Sequence, residues 1–131
     1  MNKEDKSILL QDLCARLLYG VKATTTSNGW RDVYIVSGYN DNRIYLDCPV
    51  YDEGDDEWLI ESVKLYLRPM SSMTEEEKEK YHKLCDSYYG IYFDTVDSID
   101  WLNSHHFDYR GLIPKGLALE ALEGMYNIKE Q

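Results

Sequence analysis

The chain has 131 residues, 44% hydrophobic and 13% aromatic, with 12 Tyr, 3 Trp and 2 Phe; that is enough to bury a core without a staple and excludes a disordered chain. Against 24 Asp and Glu stand 14 Lys and Arg, a formal charge of -10, which repels phosphate backbones and anionic membranes at long range. Lys78, Lys80 and Lys83 are interleaved with Glu75, Glu76, Glu77 and Glu79, so no basic stripe offsets that repulsion, and neither nucleic acid nor membrane is expected as a direct partner.

Ile8, Leu9, Leu13, Leu17 and Leu18 recur at helical spacing while Gln11, Asp12 and Arg16 face elsewhere, which predicts an amphipathic helix over 4–18 ending near Gly20. The same polar residues make this stretch too charged for a signal peptide, and no apolar run is long enough to span a bilayer. Thr24, Thr25 and Thr26 favour a strand, with Asn28-Gly29 as a hairpin signal before a second strand at Val33, Tyr34, Ile35 and Val36. Turn residues Gly38 to Asn42 precede a third strand through Ile44, Tyr45, Leu46 and Cys48, which Pro49 should end. Trp58 to Leu67 reads as a fourth strand, with a helical turn around 60–66 as the competing reading of the same spacing.

Thr74 with Glu77 three residues on is a capping box, and it opens a predicted helix over 75–89 whose inward stripe is Tyr81, Leu84, Cys85 and Tyr88, stopped by Gly90. A third helix should begin after Asp94 or Thr95, with Val96, Ile99, Leu102 and His106 on one face. The expectation is therefore one α+β domain: an antiparallel meander of about four strands covered by an N-terminal helix and two C-terminal helices.

Cys14, Cys48 and Cys85 are odd in number, widely spaced and without a CxxC pair, which predicts reduced thiols and a cytoplasmic protein. His82 and Cys85 lie three apart on the second predicted helix, and His105, His106 and Asp108 could join them as metal ligands or as base and orienter for a thiolate. No ligand spacing matches a known site, and a cysteine late in a helix faces a dipole that opposes the thiolate, so neither a metal nor any other cofactor is expected. The carboxylates of 52–57 lack the order of a calcium loop, and no phosphate loop, dinucleotide fingerprint or nucleophile elbow occurs.

The aromatic group Tyr88, Tyr89, Tyr92, Phe93 and Trp101 carries more, because adjacent tyrosines cannot all point inward and Tyr and Trp are enriched at binding hot spots. Tyr88, Tyr89, Tyr92 and Trp101, with Asp55 and Asp56, form the predicted binding set, and another protein is the predicted partner; the sequence is also compatible with a homo-oligomer. Two other classes compete: a DNA mimic displaying the acids of 47–57 and 94–100 as one stripe, and a small metal-dependent hydrolase built on the His, Cys and Asp set.

Two stretches, Tyr66-Leu67-Arg68-Pro69-Met70-Ser71-Ser72-Met73-Thr74-Glu75-Glu76-Glu77 and Trp101-Leu102-Asn103-Ser104-His105-His106-Phe107-Asp108-Tyr109-Arg110-Gly111-Leu112-Ile113, resemble an uncharacterised family of short proteins of gut anaerobes, often carried in prophage-like or other mobile regions. The resemblance implies a genomic setting, that of an accessory protein of a mobile element, and it assigns no chemistry to any residue.

Overall fold

The computed structural model describes residues 1–26, 29–30, 32–47 and 55–126, with Asp55 and Asp56 described by their backbone alone. The elements in chain order are helix α1 (Lys3–Arg16), strands β1 (Lys22–Thr25), β2 (Tyr34–Asn40), β3 (Arg43–Asp47), β4 (Asp55–Leu59) and β5 (Val63–Pro69), helix α2 (Glu75–Leu84), strands β6 (Asp86–Tyr88) and β7 (Ile91–Phe93), helix α3 (Val96–Ser104), and strands β8 (Phe107–Asp108) and β9 (Ala118–Glu120). Among these residues no helix is long and apolar enough to cross a membrane.

The architecture is α+β, with an N-terminal helix and two further helices. The sheet, however, is mixed and not purely antiparallel. Strands β1 to β4 form an antiparallel meander, β5 returns antiparallel to β1, and β8 and β9 then pair in parallel with β5, through Arg68↔Phe107 and Leu65↔Ala118. The predicted fourth strand is two strands, β4 and β5, broken by a 3-10 turn over Ile60–Ser62; each competing reading of that stretch holds for part of it. Asn28 and the end of the predicted third strand, Cys48 and Pro49, lie outside the described residues. The first connection is longer than a two-residue hairpin, because the last β1–β2 pair is Ala23↔Tyr34.

The sheet order is β4-β3-β2-β1-β5. Flat, it would hold Leu59 and Val63 about 19 Å apart across the strands alone. The chain joining them reaches at most roughly 15 Å, so the sheet must coil towards a barrel. A bulge between Val36 and Gly38 helps it bend. Ile60 in the closing turn is fully buried and its amide bonds the Asn42 carbonyl at 2.9 Å. Inside the coil lie Val21, Ala23, Val36, Ile44, Leu46, Val63, Leu65 and Leu67, closed over by Leu9 and Leu13 of α1 and by Leu112 and Leu117.

Helix α1 departs from its predicted faces. Leu18 is 91% exposed, because the helix gives way at Leu17 to a 3-10 turn that Gly20 ends at φ 67. Asp12 and Arg16 are both completely buried. Arg16 donates from Nε and Nη2 to the Asp12 carboxylate at 2.7 and 2.9 Å, and from Nη2 to the Phe107 carbonyl at 2.6 Å. The pair thus ties α1 to β8, with Arg110 Nε 3.7 Å from Asp12 as a second cation.

Candidate functional site

Two surfaces concentrate chemistry, and helix α2 separates them. Its start is fixed as the sequence predicts: Glu77 N–H donates to Thr74 Oγ1 at 3.1 Å and Thr74 N–H donates to the Glu77 carboxylate at 3.0 Å. Its end is not, for the helix stops at Leu84 rather than continuing to 89. The spacing of Tyr81, Leu84, Cys85 and Tyr88 imitates a helical stripe, but Ser87 to Phe93 is rich in aromatic, strand-favouring residues around a glycine. Cys85 takes an extended conformation, Thr95 Oγ1 donates to the Leu84 carbonyl at 2.6 Å, and the segment folds back as the β6–β7 hairpin. Tyr88 and Tyr89 are therefore on a hairpin, not on a helix end. The hairpin returns the chain to α3, whose own box pairs Thr95 with Ser98.

Register sorts the hairpin's side chains. Asp86↔Phe93 and Tyr88↔Ile91 share one face, and Ser87↔Tyr92 share the other, since strand residues alternate. The Tyr92 face is anchored: its ring stacks on His82 of α2 with centroids 3.9 Å apart. The opposite face has no cover among the described residues. Tyr88 is 66% exposed, Ile91 58% and Phe93 51%, Val96 at the start of α3 adds 79%, and Tyr89 at the tip is 88% exposed with its ring edge-on to Tyr88. Tyr89 and Gly90 both have positive φ, 50 and 76, the two-residue turn that matches strand twist and that Asn-Gly ordinarily fills. A tyrosine there sits in a conformation that costs on the order of 1 kcal/mol.

On the other side of α2, a cleft of about 1470 Å³ is walled by α2, the end of α3 and the chain from Glu120 to Tyr126, and Arg68 and His106 line it. Arg68 donates to both Glu77 oxygens at 2.8 and 2.9 Å while its guanidinium lies 4.1 Å from the centre of the Phe107 ring. Burial pulls the Glu77 carboxyl upward, but the hydrogen bonds from Arg68 and from the Thr74 amide outweigh it and hold it below its ordinary value. His105 Nδ1 lies 3.0 Å from the Trp101 carbonyl, which can only accept, so that nitrogen carries the proton and Nε2 is the acceptor. Burial lowers the His105 pKa. His106, at φ 64 just past α3, is buried and stacks on Tyr126 at 3.7 Å. Burial first, and the nearby Arg16 charge second, push it down to about 3. The Tyr126 hydroxyl accepts from Lys22 N–H at 2.8 Å and donates to the Tyr66 carbonyl at 2.7 Å, and burial raises its pKa.

The candidate ligands His82, Cys85, His105, His106 and Asp108 do not gather. His82 is under Tyr92; Cys85 Sγ lies 3.9 Å from Asp94; Asp108 receives the Leu112 and Ile113 amides at 2.8 and 2.9 Å. His105 and His106 face the cleft from the end of α3, and His106 is not on the face of α3 because the helix ends at Ser104. Among the described residues no three of His, Cys, Asp and Glu are placed to hold a metal, and Cys14 and Cys85 are free thiols. Trp101 is half-buried, stacked on His105 at 4.3 Å and Phe107 at 5.7 Å, and packs into a second core cluster with Met73 and Leu102. Asp55 and Asp56 stand in β4, their side chains outside the description. Asp47 pairs in register with Asp55, and Glu57 forms an ion pair with Arg43 at 3.0 Å. The cleft and Ile91 escaped the sequence reading, since an isolated aliphatic among tyrosines carries no signal of its own. Val96, expected to share the apolar face of the third helix with Ile99 and Leu102, is instead exposed in the first turn, while Leu102 is buried and Ile99 half-buried.

No family model, curated protein or solved structure matches this chain.

Proposed function

We propose that this protein binds another protein through the uncovered face of the β6–β7 hairpin. The observation that carries the reading is the exposure of Tyr88, Tyr89, Ile91 and Phe93 on a hairpin whose other face is pinned to α2, with Val96 exposed where α3 begins three residues after Phe93. Hairpins in water normally turn polar residues outward, and a monomer's largest apolar patch is often functional. Tyr88, Tyr89, Ile91, Phe93 and Val96 together expose on the order of 700 Å², taking roughly 200 Å² for each large side chain; one side of a standard interface buries about as much. The turn at Tyr89 points the same way, since strained backbone concentrates at binding sites. The resemblance of the two C-terminal stretches extends the proposal to an accessory, non-catalytic role in a mobile element, in the cytoplasm of its host.

Photo-crosslinking from position 88 in producing cells tests this. One partner should be recovered from the wild type and lost on Ile91→Lys with thermal unfolding unchanged. Recovery of the same partner by Ile91→Lys, or of none by the wild type, overturns the reading.

A further inference from the structure

We infer that the hairpin captures an extended apolar segment whose flanks carry Lys or Arg, taking it in as an added strand. The inference rests on the protein-binding reading and names the chemistry of the partner.

Two observations lead to it, and the first is the backbone. With a two-residue turn at Tyr89-Gly90, the flanking pair Tyr88↔Ile91 exchanges both of its backbone hydrogen bonds, and pairs alternate from there. Ser87 and Tyr92 consequently aim their N–H and C=O groups out of the hairpin's two edges. Neither strand has another partner among the described residues, and residues 86 to 93 are all exposed. Open edges beside an apolar face are the geometry of strand addition, in which backbone bonds give affinity and alternate side chains give selectivity.

The second observation is charge. Asp86 lies on the uncovered face opposite Phe93, and Asp97 and Asp100 follow Val96 on α3, one and four residues on. All three are exposed, and none is ion-paired among the described residues. Asp94 beside them takes its hydrogen bonds from the neutral hydroxyls of Tyr81 and Ser98. An apolar platform rimmed by unneutralised carboxylates is complementary to an apolar segment with cationic ends. It is a poor match for a second copy, because a two-fold contact would bring each carboxylate rim against its own image, on chains that each carry -10.

Panning a random peptide library against the full chain is the test. Enriched peptides should alternate apolar and polar residues between Lys or Arg ends, and their binding should slow hydrogen exchange at the Ser87 or Tyr92 amide. Asp86→Asn with Asp97→Asn and Asp100→Asn should weaken them roughly tenfold, as three exposed pairs of ordinary strength would. No enrichment, peptides without cations, or peptides indifferent to the triple change overturn the charge complementarity; unprotected edge amides overturn the added strand. A micromolar dimer in sedimentation, abolished by Ile91→Lys, would give the face to a second copy. Peptides that bind Ile91→Lys as well as the wild type would sink the hairpin reading itself, whereas peptides lost on Ile91→Lys but kept by the triple variant sink only this inference.

Discussion

Removing the carboxylate of Asp12 should be among the most damaging single changes available in α1, although nothing about Asp12 in the sequence suggests it. Arg16 has no exposed side-chain surface, and its partner at Asp12 has none either. In Asp12→Ala the guanidinium keeps the Phe107 carbonyl and the Tyr109 ring, 5.3 Å from Cζ, while Nη1 already has no hydrogen-bond partner. A buried cation stripped of its counter-charge costs about 3–5 kcal/mol, which for a domain of this size lowers Tm by roughly 10–20 °C. Urea titration and thermal melts followed by circular dichroism would read both quantities. The pair is not expected to be worth that much in itself. Asp12→Leu with Arg16→Met removes both charges at similar volume and should come back close to the wild type. A single variant within about 1 kcal/mol of the wild type would mean the pair is not desolvated. A double variant as unstable as the single one would place the energy in the tether from Arg16 to Phe107, not in an uncompensated charge.

Tyr89→Asn should stabilise the hairpin by roughly 0.5–1 kcal/mol, since Asn tolerates positive φ, and slow exchange of the Tyr88 and Ile91 amides while weakening the partner; exchange as fast as in the wild type would deny the strain at position 89. His106, held neutral down to about pH 3, binds its proton near pH 6.5 once unfolded. Between those values the unfolded chain holds more protons, so stability falls as pH drops, by roughly 2 kcal/mol from pH 7 to pH 5. In His106→Gln that part of the slope should vanish, and a slope unchanged by the substitution would show that other groups carry it.

What was legible in the sequence was local. The capping box of Thr74 and Glu77 sits within four residues, and its meaning does not depend on the rest of the fold. The start of α3 at Thr95 is legible for the same reason. Asp12 and Arg16 were misread because a polar residue on a helix belongs to the solvent face unless something distant covers it, and here the cover includes a carbonyl 91 residues away. Strands β8 and β9, of two and three residues, are too short for any period to show; they exist because β5 offers them an edge. The end of α2 was hidden by a spacing that suits a helix and a hairpin alike. At the candidate site, composition singled out the tyrosines, but only the register of β6 against β7 separates the anchored Tyr92 from the uncovered Tyr88. The cleft was out of reach, being assembled from segments as far apart as Tyr19 and Tyr126.

Strand β5 is claimed on one side by β1 and on the other by β8 and β9. A ribosome making this chain delivers β1 before β5 but Ala118 some fifty residues after it, an interval of about 3–10 s at ordinary translation speeds. Throughout that interval the nascent protein carries a finished meander with a bare, apolar flank, open to mispairing with any neighbour that offers a strand. Its yield in a cell should therefore depend on how quickly the stretch from β5 to β9 is translated, and on whether a chaperone shields Val63 to Leu67 in the meantime.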